Sequence, residues 1–266
     1  MMDRPSKTAS EEPHIVENFD KAVSLLESCR RPSRAISYLK RNAILKDPDS
    51  MVLLGVLLCD GSDEDKTEAT VLFRQAGDAG NSSGLRNLGY CYAVGLGVPK
   101  DKEAAAICYQ QAMEMGNAAA ACNLGVLYDY GHGVPQDRDA AFECYRIAAE
   151  GGNRRGMTNL GEFYNYGKGT RMDLDLAEKW YLESGSPRAH HRVALIYLDE
   201  PSKTDREKGL EHLRISADGG YSKAMVRLGD ELGGPEAVEL YMKAASKRDK
   251  TAVQRLRDLG LAQELV

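Results

Sequence analysis

The sequence predicts an all-α protein, an α-solenoid of stacked antiparallel helix pairs. Three observations predict it: columns of identical residues that return every 36 positions, apolar residues at helical spacing within each return, and glycine-rich turns between them. The triplet Asn87-Leu88-Gly89 recurs as Asn123-Leu124-Gly125 and as Asn159-Leu160-Gly161. In the same phase stand Tyr92, Tyr128 and Tyr164, then Gly95, Gly131 and Gly167, then Gly97, Gly133 and Gly169. Asp101, Asp137 and Asp173 follow, and Tyr109, Tyr145 and Tyr181 close each copy.

Each column has a physical task. Leu88, Cys91 and Tyr92 stand at i, i+3 and i+4, as do Leu124, Leu127 and Tyr128, so they share one face of a first helix. Gly95, Gly97 and Pro99 end it, because glycine accepts a left-handed backbone and proline cannot continue a helix. Asp101 is placed to cap a second helix, on which Ala105, Cys108, Tyr109 and Ala112 form the buried stripe. Weaker copies flank these three. Leu54-Gly55, Ala194-Leu195 and Leu228-Gly229 occupy the Leu-Gly place, while Asp199-Glu200-Pro201 and Gly233-Gly234-Pro235 stand in for the longer turn.

An earlier helical pair is expected near His14–Cys29 and Ser33–Leu45, and a last helix over about Lys250–Leu265. The expected organisation is a flexible tail over 1–13, a divergent helix pair over 14–48, repeats over 49–248 with the best matches at 85–186, and a cap over 249–266. That makes about six repeats with capping helices, the ends divergent because a terminal repeat faces water on one side. Stacked pairs bury faces that none can bury alone. A right-handed superhelix, its concave side lined by first helices, is the expectation by analogy with other helical repeats.

The run from Ala121 to Asp137, with its Asn123-Leu124-Gly125, Tyr128, Gly131, Gly133, Pro135 and Asp137, resembles the Sel-one-like repeat (SLR) family, the longer-turn relative of the tetratricopeptide repeat. Tyr145, Ala148-Ala149 and Gly152-Asn153 extend the likeness through Ala140–Gly152 and just beyond. The resemblance implies a protein-binding role, since such proteins serve as adaptors in complex assembly, quality control, enzyme activation and host contact. A fold of this kind does not by itself choose among those tasks.

Composition narrows the classes further. A hydrophobic share of 42% with 28% charged residues is that of a folded globular chain, and a net charge of −5 opposes a phosphate backbone, so nucleic acid is not an expected partner. No apolar run is long enough to predict membrane insertion. Met1–Pro13 carries Asp3, Glu11 and Glu12 rather than an apolar or acid-free leader, which predicts a cytoplasmic location.

No catalytic, cofactor-binding, metal-binding or small-molecule site is expected. Gly167-Lys168-Gly169-Thr170 lacks the spacing and strand of a phosphate loop, and Gly95-Leu96-Gly97 lacks the third glycine of a dinucleotide site. Among His14, His132, His190, His191 and His212 no two stand at i, i+4. The six cysteines (Cys29, Cys59, Cys91, Cys108, Cys122, Cys144) contain no CxxC and read mostly as reduced core thiols. Cys91 and Cys108 fall on opposite helices of one repeat and could meet, as cysteines do in some cysteine-rich SLR proteins, although those repeat them in matched columns.

Helical phase points Asn87, Tyr90 and Ala93, then Asn123, Val126 and Asp129, then Asn159, Glu162 and Asn165 along the concave groove, with Tyr130 and Tyr166 at its rim. The asparagines could satisfy the backbone of an extended peptide, or they could bond to neighbouring helices as part of the scaffold. A second candidate is the basic stretch Lys21, Arg30, Arg31, Arg34, Lys40, Arg41 and Lys46, which is followed by the acidic stretch Asp60–Glu68. The function expected is a non-enzymatic scaffold that binds a partner protein or peptide. Alternatives are a regulatory or assembly subunit of one enzyme complex, or an assembly factor of the mitochondrial intermembrane space.

Overall fold

The computed structural model describes residues 12–27, 32–200 and 204–261. Among the described residues there are fifteen helices and no strand. They are α1 (Glu12–Glu27), α2 (Pro32–Ile44), α3 (Pro48–Leu58), α4 (Asp63–Asp78), α5 (Ser82–Val94), α6 (Lys102–Glu114), α7 (Ala118–Tyr130), α8 (Arg138–Glu150), α9 (Arg154–Tyr166), α10 (Leu174–Ser184), α11 (Pro187–Asp199), α12 (Arg206–Asp218), α13 (Ser222–Leu232), α14 (Gly234–Ser246) and α15 (Lys250–Asp258). From α3 onward odd-numbered helices are the first, and even-numbered ones the second, of successive pairs.

The chain divides into two compact units, Met1–Asp137 and Arg138–Val266. Within each unit helices pack on their neighbours in sequence: α1 through α7 in one, α8 through α15 in the other. This neighbour-on-neighbour packing is that of a helical-repeat solenoid. The core of the first unit gathers Leu39, Met51, Leu54, Leu72, Phe73, Leu88, Cys91 and Cys108. In the second unit one cluster holds Tyr181, Val193 and Ile196, and another holds Leu213, Leu228, Tyr241 and Leu256.

The Leu-Gly column is explained by the ring that lies on it. A Cβ on Gly89 would stand 2.7 Å from the Tyr109 ring, and Gly161 bears the same relation to Tyr181, so the glycine lets the second helix lay an aromatic ring flat against the first. Gly55 with Phe73 and Gly229 with Tyr241 repeat it at the divergent ends. Each buried ring contributes about 2 kcal/mol through removal of apolar area from water.

The turn columns are equally mechanical. Gly95, Gly131 and Gly167 take the left-handed conformation at the ends of α5, α7 and α9. The following glycine is needed for closeness: a Cβ on Gly97 would stand 2.1 Å from the Lys66 carbonyl oxygen, where the turn presses on the start of α4. Thr70 donates its hydroxyl proton to the Leu96 carbonyl across the same contact, 3.0 Å away. Asp101 and Asp173 cap α6 and α10 as expected, the former accepting from the N–H groups of Glu103 and Ala104.

The ends depart from expectation in two places. Helix α1 starts at Glu12, inside the stretch expected to be tail, since Pro13 is tolerated in a first turn that needs no N–H. Helix α15 stops at Asp258 rather than near Leu265, because Gly260 turns left-handed at φ 75° and Leu261 N–H closes back on the Leu256 carbonyl. The rest of the expected tail, together with Cys29, Arg30, Arg31, Pro201 and residues 262–266, lies outside the described residues.

Candidate protein-binding surface

Exposure sorts the expected groove residues into three groups. Asn87 and Asn159 are buried, so their amides are not offered to a partner. The Asn87 amide oxygen accepts from Arg86 at 2.6 Å, while its nitrogen has no hydrogen-bond partner. Asn123, Asp129 and Asn165 are half-buried, and the Asp129 carbonyl accepts from Gln136 at 2.7 Å. Tyr90, Tyr130 and Tyr166 are open, at 51%, 65% and 54% exposure.

In the first unit the open positions form columns. Val56 on α3, Tyr90 on α5 and Val126 on α7 are equivalent by repeat, as are Val94 and Tyr130 one turn further along. All but Val126 are exposed. Tyr90 and Val94 stand at i, i+4 and so share a face of α5, as Val126 and Tyr130 do on α7. Tyr130 stacks on His132 with centroids 5.9 Å apart, which holds the phenol at the end of α7. These first helices thus present aliphatic and aromatic side chains to solvent at positions fixed by the repeat.

In the second unit the same columns are ionic. Glu162 accepts from Arg188 at 2.7 Å and from Arg192 at 3.0 Å, both on α11. Arg192 donates in turn to the Tyr166 hydroxyl at 3.3 Å, and the Lys168 ammonium lies 5.6 Å from the Tyr166 ring centroid. Further along, Asp199 pairs with Arg227 at 2.8 Å, and Asp230 with Arg255 at 2.9 Å. One carboxylate from each first helix therefore meets an arginine from the next. Glu162, expected along the groove, is half-buried and pairs with these two arginines.

Histidine chemistry was hidden from sequence spacing. His190 on α11 and His212 on α12 bring their Nδ1 atoms to 3.1 Å, with ring centroids 5.3 Å apart. That is the geometry of a single N–H···N hydrogen bond between edge-facing rings. Among the described residues no group of three or more His, Cys, Asp or Glu is arranged to hold a metal ion. Four cysteines, Cys91, Cys108, Cys122 and Cys144, are buried as the helical phases predict, and burial pushes the Cys91 and Cys108 thiols above the usual range.

The Sel1 repeat matches the chain five times in succession, over residues 48–81, 82–117, 118–153, 154–186 and 187–221. The chain belongs to the Sel1-repeat family. Sel1-repeat proteins are in general non-catalytic scaffolds for protein interaction, and the observed columns are those of that repeat. No curated protein matches in sequence. Among solved structures the chain is similar to a protective antigen of uropathogenic Escherichia coli with an SLR fold, at 26% identity and a TM-score of 0.75, covering 94% of this chain and 58% of that one. It is similar also to a Sel1 repeat protein from Oxalobacter formigenes, at 25% identity and a TM-score of 0.74, covering 85% and 96%. Yeast Tom70, at 15% identity and a TM-score of 0.54 over 100% of this chain and 61% of that one, shares the fold alone. No helix among the described residues is long and apolar enough to cross a membrane.

Proposed function

We propose that this Sel1-repeat protein is a non-enzymatic adaptor that holds a partner protein against the exposed faces of α3, α5 and α7, with Tyr90 and Tyr130 as its anchors. The observation that carries this reading is the exposure of Val56, Tyr90, Val94 and Tyr130 at repeat-equivalent positions on first helices. A rigid tyrosine offers a large contact area and a polar tip at small entropic cost, which is why tyrosines recur among the residues that dominate binding energy. Asp129 and Asn123 sit half-buried beside them and supply polar contacts at the margin. A cytoplasmic, reducing setting agrees with core thiols that serve as small apolar side chains.

The test is affinity purification from the native source with the wild-type chain and with Tyr90→Ala/Tyr130→Ala. Both tyrosines are exposed, so the double variant should keep its melting temperature within a few degrees. Recovery of the principal partner should fall about tenfold or more, as expected when two anchors are truncated. The same partner recovered at full yield by a folded double variant would show that this face is not the binding site.

A further inference from the structure

The second helices end in a shared turn. After α4, α6, α8 and α12, Gly80, Gly116, Gly152 and Gly220 take φ of 88°, 83°, 79° and 85°. Each glycine N–H bonds three residues back, and the next N–H bonds five residues back, which opens the following first helix. Two positions before the glycine stands an acid: Asp78, Glu114, Glu150 and Asp218. The end of α2 makes the same hydrogen bonds, Lys46 N–H to the Ala43 carbonyl and Asp47 N–H to the Asn42 carbonyl, yet departs from the pattern at both positions. Lys46 stands where glycine does, at φ 62°, a conformation that a side chain holds against steric strain. Ile44 stands where the acid does, and is 80% exposed. Arg248 after α14 shares the cation at φ 63°, but with Ser246 rather than an isoleucine before it.

Both departures line one cavity. A groove of about 770 Å³ opens between α2, α3 and α4, with Met51, Leu54 and Leu72 as its apolar floor. On its walls Lys40 reaches Glu68 at 3.9 Å, so those two charges offset each other. Asp78 also lines the groove, from the end of α4. Lys46 is exposed and makes no ion pair among the described residues. At this one turn the repeat's acid is replaced by an exposed aliphatic chain, and its glycine by a strained cation, beside a groove with an apolar floor.

We propose that this groove binds an acidic amphipathic segment of a partner protein, its aliphatic side chains on Met51, Leu54, Leu72 and Ile44 and a carboxylate at Lys46. Charge complementarity selects that occupant: Lys40 is offset by Glu68, and Asp78 by Arg74 one turn back on α4, so among the described residues Lys46 is the lining charge left without a partner. The site goes beyond the face proposed above, none of whose residues lines it.

The experiment uses the full chain and two labelled peptides of about 16 residues, long enough for a helical stripe. Each carries leucines at i, i+3, i+4 and i+7, with glutamates flanking the stripe in one peptide and lysines in the other, and fluorescence anisotropy reads binding. The glutamate peptide should bind saturably and about tenfold or more tighter than the lysine peptide, in a salt-sensitive way. The double variant Ile44→Asp/Lys46→Gly restores the repeat's own residues, so it should melt no lower than wild type while losing about tenfold in affinity for the glutamate peptide. Equal binding of the two peptides, no binding of the glutamate peptide, or full affinity in the double variant would overturn the proposal. Tyr130→Ala should leave glutamate-peptide affinity unchanged, and a loss there would move the site to the tyrosine face.

Discussion

His191 is 8% exposed on α11, its Nδ1 has no hydrogen-bond partner, and its ring meets Tyr221 edge to face at 5.2 Å. Burial, reinforced by Arg192, Lys223 and Arg227, lowers its pKa to about 4. The unfolded chain binds this proton below about pH 6.5 and the folded chain does not until near pH 4, so stability is full above that window and falls as pH drops through it. Burial acts in the same direction on His190 and His212. Urea midpoints measured from pH 7 to pH 4 should therefore fall, by an amount on the order of 3 kcal/mol for His191. His191→Phe keeps the ring contact and should flatten much of the slope; an unchanged profile would remove this residue as the cause. The thiols make a second residue-scale case. Cys91 and Cys108 are buried and held protonated, so both should label slowly until denaturant is added, as read by mass spectrometry. Rapid native labelling of either would mean that the first unit opens readily.

At the scale of the element, the turn between a first and a second helix contains two glycines with different duties. Gly95 ends α5 at φ 82°, and a Cβ there would meet Lys100 at 3.2 Å, so the turn could yield slightly. A Cβ on Gly97 would instead run into the Lys66 carbonyl, a backbone group that cannot rotate away. Gly95→Ala should cost about 1 kcal/mol, the left-handed penalty, and Gly97→Ala about 2–3 kcal/mol or more, since it adds the displacement of α4. Chemical denaturation of the two variants gives the comparison, and equal losses would show that the turn does not bear on its neighbour. The ionic relay on the first helices of the second unit is a different kind of element. Glu162 and its arginines are partly exposed and contribute modestly, but they fill the columns that Tyr90 and Val94 leave open in the first unit.

For the whole molecule, packing between sequence neighbours makes stability close to a sum of repeats and their shared faces. Within each unit the interior helices have two packed neighbours, whereas α1 and α15 have one. Hydrogen exchange followed by mass spectrometry should thus show α1 and α15 exchanging first, and α5, α6, α9 and α10 protected longest. Uniform exchange along the chain would indicate all-or-none opening instead. The spacing of Leu-Gly, glycine turn, aspartate cap and tyrosine is legible because each is a local rule: a ring needs a bare face, a turn needs a left-handed residue, and a helix needs a capped first turn.

The sequence by itself determined the helix pairs, their order, the family and the burial of the cysteine and tyrosine columns, because these follow from spacing along a helix. It also pointed to Tyr90, Tyr130 and Tyr166, which are exposed. Only the tertiary structure decided what each position does there, since that depends on residues far along the chain. Asn87 and Asn159 share their phase with candidate surface residues, yet both are buried. Glu162 is claimed by Arg188 and Arg192 from α11, and His190 meets His212 across 22 residues. The groove beside Ile44 and Lys46 depends on how α2, α3 and α4 pack, because side-chain burial and charge pairing are properties of three-dimensional neighbours rather than of period.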